Sequence, residues 1–204
     1  MKKKIIILIN IILIITFFVT GIWVRNSKEG ILFDEAVMNY VHSKTSIKGI
    51  QIMKIITFLG SAYFLFPLGI IIFLFMANNE DLNGIVLLIL STLGSYGVNF
   101  IFKNTFIRVR PLEYFLIEQG GYSFPSGHAM VSMSFYTTMT YLISKGRKKR
   151  SSRIILFITN FVIVTIIGFS RVYLGVHWPT DVLMGFIVGL VFTYTSIKSV
   201  LILK

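Results

Sequence analysis

Long apolar runs separated by short polar islands organise this chain. A helix that crosses a hydrocarbon layer needs about 20 mostly apolar residues. Runs at about 5–24, 63–77, 84–102, 126–144, 154–169 and 181–197 approach or meet that length. They predict an all-α, polytopic membrane helix bundle with six transmembrane helices, folded as one domain over residues 1–204. Between the first two runs, Phe33, Val37, Tyr40 and Val41 recur at helical spacing, with Asp34, Glu35 and Asn39 between them. That pattern predicts an amphipathic helix lying in the membrane interface. Gly60-Ser61 marks a break after it, and the second run is short enough that the preceding helix could lengthen it.

The first run follows Lys2-Lys3-Lys4, so a cleavable signal peptide competes with a spanning helix. A signal peptide has an apolar core of about 7–15 residues and a small-residue cleavage site. This run is longer and closes Gly21-Ile22-Trp23-Val24-Arg25 without such a site. It is expected to remain as the first span.

Composition agrees with the pattern. The chain is 55% hydrophobic and 14% charged, where a soluble domain is about a quarter charged; its mean hydropathy is +0.80. Cysteine is absent, which excludes disulfides, thiolate catalysis and cysteine-ligated metals. The net charge of +12 flanks apolar runs and forms no basic domain, so no nucleic-acid partner is expected. The cations read as orientation signals and anionic-lipid contacts.

Six spans put both termini on one side. That side would hold Lys2, Lys3, Lys4, Lys198, Lys204 and the short loop 145–153, with Lys145, Arg147, Lys148, Lys149, Arg150 and Arg153. The opposite side holds nearly as many cations, but a short loop so densely basic decides the orientation by the positive-inside rule. Termini inside the cell membrane are therefore expected. The polar islands at 103–126 and 170–180 then share the extracellular or periplasmic face.

Those islands carry the candidate chemistry, since polar groups near membrane depth are costly and default to function. His177 and Asp181 are four residues apart, and Pro179 between them suits a first helical turn. A carboxylate on one imidazole nitrogen fixes the tautomer and frees the other nitrogen to act as nucleophile or base. A helix-capping Asp beside an interfacial histidine fits the same pair equally well. Pro125-Ser126-Gly127-His128 precedes an apolar run. Ser126 there is an expected N-cap, the free N–H groups make an anion site, and His128 falls in the first turn. An ordinary capped helix with an interfacial histidine is the reading this island favours on its own. Lys103, Arg110 and Arg171 lie where spans meet polar loops, placed to hold phosphate oxygens. Arg108 and Arg25 suit snorkelling to lipid headgroups. His42 fits no motif and is read as structural. Trp23 and Trp178 are read as an interfacial belt, with Trp178 also near enough to line the site. Gly185 and Gly189 fit close helix packing.

Taken together, Lys103-x6-Arg110-Pro111, Pro125-Ser126-Gly127-His128 and Ser170-Arg171-x5-His177-x3-Asp181 fill, in order, the pattern of one family. On these residues the chain resembles the type 2 phosphatidic acid phosphatases, which share their site with vanadium-dependent haloperoxidases. The resemblance implies that His177 attacks phosphorus, that Asp181 orients His177, and that His128 protonates the leaving oxygen. It also implies that Lys103, Arg110 and Arg171 hold the phosphoryl oxygens with Ser126 and the Gly127 N–H. Three fixed cations can stabilise phosphoryl transfer without a metal, so neither metal nor cofactor is expected. The implied partner is a membrane lipid phosphate or pyrophosphate: undecaprenyl pyrophosphate, phosphatidylglycerophosphate or phosphatidic acid. Two other readings compete. One is a lipid phosphotransferase using the same phosphohistidine. The other is a non-catalytic six-span transporter or scaffold, although transporters place polar groups nearer the bilayer midplane.

Overall fold

The computed structural model describes residues 2–202, with side chains over residues 4–201. Lys204 and the side chains of Lys2 and Lys3, which bear on the expected orientation, lie outside that range. The described residues form nine α-helices: α1 Lys2–Trp23, α2 Leu32–His42, α3 Ile47–Phe58, α4 Ala62–Asn78, α5 Leu82–Ile89, α6 Ser95–Phe106, α7 Gly127–Lys145, α8 Arg150–Tyr173 and α9 Pro179–Ile202. A π-helical turn, Leu90–Gly94, joins α5 to α6, so that Leu82–Phe106 reads as one long rod. No strand occurs among the described residues.

Five segments are long and apolar enough to cross a membrane: Lys4–Trp23, Ile47–Asn78, Leu82–Phe106, Arg150–Tyr173 and Pro179–Leu201. The remaining long helix, α7, buries Ser132, Ser134, Thr138, Thr140 and Ser144. A helix enclosed by others can carry hydroxyls where partners lie across the helix contact; among these, Ser144 instead bonds within its own helix, and the Ser132 and Thr138 hydroxyls have no partner. Ser134 Oγ donates to the Gly189 carbonyl at 3.1 Å, and Asn160 Nδ2 donates to Thr137 Oγ1 at 3.1 Å. The closest pairing is α7 against α9, and it depends on two glycines. A Cβ at Gly185 would lie 2.8 Å from the Ser126 carbonyl oxygen; one at Gly189 would lie 2.5 Å from that of Met130. The pair expected to permit close packing therefore sets α9 directly on the α7 backbone.

Several boundaries differ from expectation. The fifth span runs on through Tyr173, well past residue 169, and the loop placed at 170–180 shrinks to residues 174–178. Arg171 thus belongs to the last turn of α8. The helix before the second span does lengthen it, and α3 and α4 meet at Leu59–Ser61. The largest revision concerns α2. Its buried face is Asp34, Met38 and Val41, while Phe33 and Tyr40 are exposed. The stripe has the i, i+4, i+7 spacing of a helix face, with a carboxylate in its first position. Val41 is buried and Val37 packs against the core as the stripe predicted, but counting Asp34 as polar rotated the predicted face away from Asp34 and Met38. The helix packs on α8 and α9 rather than only lying along an interface.

Replacing Gly189 with Leu should drive a side chain into the α7 backbone. A loss of about 1–3 kcal/mol is expected from such overpacking, read as a lowered thermal midpoint of the protein in detergent. An unchanged midpoint would show that α7 and α9 are not packed this closely.

Candidate active site

The site forms where the C-terminal ends of α6 and α8 meet the N-terminal ends of α7 and α9. At the end of α6, Ile107 turns left-handed at φ 43° and its N–H caps the Lys103 carbonyl at 3.0 Å. Lys103 faces back toward the loop, donating to the carbonyls of Tyr122 and Ser123. At the start of α9, Pro179 occupies the first helical position, where its missing N–H costs nothing. Asp181 sits in that first turn, where the helix dipole favours negative charge. Its Oδ2 accepts the Trp178 N–H at 2.9 Å and faces His177 Nδ1 at 3.4 Å.

The other nitrogen of His177 faces Arg110, with Nε2 3.2 Å from a terminal guanidinium nitrogen. A guanidinium can only donate, so Nε2 must accept and the ring proton sits on Nδ1, toward Asp181. This is the tautomer the Asp–His pairing requires. His177 is buried, and burial, reinforced by the Arg110 charge, holds its pKa well below the usual histidine value. Arg110 itself is lowered to about 10, chiefly by burial and against the attraction of Asp181. It stays charged at neutral pH. Its other N–H groups are fixed on the carbonyls of Gly120, Gly121, Tyr122 and Val176. A guanidinium held on four backbone acceptors is preorganised rather than free to snorkel.

A cavity of about 320 Å³ opens in front of these groups. Lys103, Arg110, Gly127, His128 and His177 all line it, as does Gln119. Tyr63, Phe66, Tyr96 and Phe100 supply an apolar wall on one side. The remaining expected residues lie just behind this front. Asp181 is fully buried behind His177. Arg171 is buried, with its guanidinium donating to Thr57 Oγ1 at 2.6 Å and to Gln119 Oε1 at 2.8 Å, and its Nε without a partner. Ser126 starts α7 but does not cap it through its side chain. Its hydroxyl is buried and unpartnered, while its N–H donates to the Asp181 carbonyl at 3.0 Å. Unengaged donors on Ser126 and Arg171, beside cations held only by neutral acceptors, make the cavity suited to a compact, multiply charged anion.

Two sequence readings are overturned here. Arg108 does not reach for headgroups. It is wholly buried, donating to Asp181 Oδ1 at 2.7 Å, Thr180 Oγ1 at 2.7 Å and Asp34 Oδ2 at 2.6 Å. Trp178 is not part of a belt: it is buried, its Nε1 donates to the Val109 carbonyl at 3.1 Å, and its ring faces the Arg108 guanidinium. The reasoning from sequence also missed Asp34, Thr180 and Gln119. The only available signal for Asp34 was a carboxylate in register with Met38 and Val41.

A buried His–Asp pair, three cations and a second histidine gather at or just behind one cavity at the end of a helix bundle, an arrangement suited to binding a phosphoryl group. Residues 84–202 match the model of the PAP2 superfamily, and the chain belongs to that family of membrane phosphatases. It is 37% identical over 145 residues to phosphatidylglycerophosphatase B of Bacillus subtilis, covering 69% of this chain and 70% of that one. It is 23% identical over 195 residues to an undecaprenyl-diphosphatase of Sulfolobus acidocaldarius, covering 92% and 89%. The crystal structure of a transmembrane PAP2-type phosphatidylglycerolphosphate phosphatase from Bacillus subtilis superposes with a TM-score of 0.85. That match is at 29% identity and covers 96% of this chain and 97% of that one.

The lowered pKa of His177 sets the sign of a pH effect. Protonating Nε2 would remove its lone pair and place a cation beside Arg110, so the ring stays neutral until the pH falls well below 6.5. The acid limb of kcat/KM, which reports the free enzyme, is expected below that value. A limb for this group at or above pH 7 would contradict the buried, Arg110-bonded ring.

Proposed function

We propose that this chain hydrolyses membrane lipid phosphates or pyrophosphates through a phosphohistidine on His177. The observation that carries the reading is the polarity of that ring: Nδ1–H toward Asp181, and Nε2 toward the cation-lined cavity. Nε2 attacks phosphorus while Lys103, Arg110 and Arg171 spread the charge of the phosphoryl oxygens. Ser126 and the Gly127 N–H at the start of α7 add neutral donors. His128 gives its proton to the leaving lipid oxygen as the P–O bond breaks. Water, losing a proton to His128, then attacks the phosphohistidine, releasing phosphate and restoring Nε2. The cations do the electrostatic work that a divalent ion does elsewhere, so turnover is metal-independent.

The similarity to phosphatidylglycerophosphatase B and to undecaprenyl-diphosphatase supports phosphatidylglycerophosphate and undecaprenyl pyrophosphate as first candidates, with phosphatidic acid beside them. The phosphate enters the cavity while the tails stay in the bilayer, beside the apolar wall of Tyr63, Phe66, Tyr96 and Phe100. We also propose six spans, with α7 as the fourth and α3–α4 together as the second. The basic 145–153 loop and the termini then face the cytoplasm, and the site faces outward.

Phosphate release by the detergent-purified protein is the direct test, run on phosphatidylglycerophosphate, undecaprenyl pyrophosphate and phosphatidic acid. Turnover of at least one is expected. His177→Ala should lower it by at least about 10³-fold, as loss of a nucleophile does, and chelators should leave it unchanged. Release by His177→Ala at the wild-type rate, or abolition by a chelator with rescue by a divalent ion, would overturn the mechanism.

A further inference from the structure

Asp34 and Arg108 form a buried relay behind Asp181 that no family motif residue explains. Asp34 comes from α2, 74 positions before Arg108, and both side chains are fully buried. Its Oδ1 accepts the Thr180 N–H at 2.9 Å, and its Oδ2 accepts the Thr180 hydroxyl at 2.8 Å and Arg108 at 2.6 Å. Arg108 then bridges to Asp181 Oδ1 at 2.7 Å, leaving Oδ2 for His177 and the Trp178 N–H. Neither Asp34 nor Arg108 lines the cavity.

Charge counting gives the arrangement its meaning. Two carboxylates share one guanidinium, so the buried set carries a net single negative charge. Arg108 alone would make a neutral pair with Asp181 and weaken it as an acceptor. Asp34 draws off part of that guanidinium, so Asp181 keeps negative charge to face His177. When Nε2 bonds to phosphorus with Nδ1 still protonated, the ring becomes cationic, and the unmatched negative charge lies beside it. Oppositely charged groups fixed in a dry site interact far more strongly than in water.

The geometry points to Asp34, acting through Arg108, as a positioning residue that sets the strength and aim of the Asp181–His177 hydrogen bond. This inference rests on His177 as the nucleophile. It also gives α2 a part in the chemistry, because that helix carries the outermost member of the catalytic charge set.

The test compares full-length wild type with Asp34→Asn, using whichever of the three lipid phosphates wild type turns over fastest. Asp34 does not touch substrate, so kcat should fall about 10–100-fold, by analogy with the loss of groups that orient metal-bound histidines, with KM within about twofold. Thr180→Val, which removes a hydroxyl but no charge, should change kcat less than about threefold. Wild-type kcat in folded Asp34→Asn, or a loss confined to KM or to thermal stability, overturns the inference. If Asp34→Asn does not fold, Arg108→Lys decides. It keeps the charge but cannot fork between two carboxylates, so the same kcat loss is expected, and wild-type kcat overturns the inference. A second readout needs no turnover: ¹⁵N spectra of the His177 ring. Asp34→Asn should shift the Nδ1 resonance while Arg110 keeps Nε2 unprotonated, and an unchanged spectrum counts against the relay. Absence of phosphate release in wild type would instead condemn the proposed function, with the spectra still deciding the relay.

Discussion

An ionised carboxylate at the start of a membrane helix is the constraint around which this fold is arranged. Asp181 is fully buried, and a charge removed from water must be paired and hydrogen-bonded or it neutralises. Here it is met from three directions. Arg108 arrives from the segment after α6, the Trp178 N–H from the link before α9, and His177 from the same link. Ser126, at the start of α7, adds a bond to the Asp181 backbone. Three separate stretches of chain, the segment after α6, the start of α7 and the link into α9, are thereby tied at one point. Breaking one partner of such a buried set leaves an uncompensated charge, which costs more than the intact set contributes.

The cations in front are restrained differently. Arg110 and Lys103 are held by carbonyls of the 120–123 loop, and Arg110 also by Val176. Neutral acceptors fix the direction of a cation without cancelling its charge. The link from α8 to α9 is locked against the same region. Gly175 has φ 73°, and a Cβ there would overlap the Tyr114 carbonyl. His177 and Arg171 are therefore set by backbone contacts that only glycine permits.

The long helices and the cations and histidines lining the cavity were legible in the sequence because both announce themselves locally. Apolar runs have the length of a bilayer, and Lys103, Arg110, His128 and His177 stand at the ends of those runs. What failed was pairing across distance. Arg108 carries no mark distinguishing a buried arginine from a snorkelling one, because its partner Asp34 is 74 positions away. Hydropathy therefore assigned it to lipid. The same blindness turned the face of α2, since a carboxylate counts as outward until its guanidinium is known. Ser170 and Arg171 lower the local hydropathy and so read as a loop, although the helix continues through both with its polar side turned inward.

The bond between Arg110 and His177 Nε2 has a consequence for how the resting protein meets its surroundings. In the proposed mechanism the lone pair that must strike phosphorus is already occupied by a guanidinium. An arriving phosphoryl group offers Arg110 a better acceptor, and only that exchange uncovers the nitrogen. On the same reasoning the ring would be shielded from uncharged alkylating reagents that bring no such acceptor. On that mechanism an anionic ester would unmask the group that cleaves it, and chemical selectivity would be exercised before any tail is recognised.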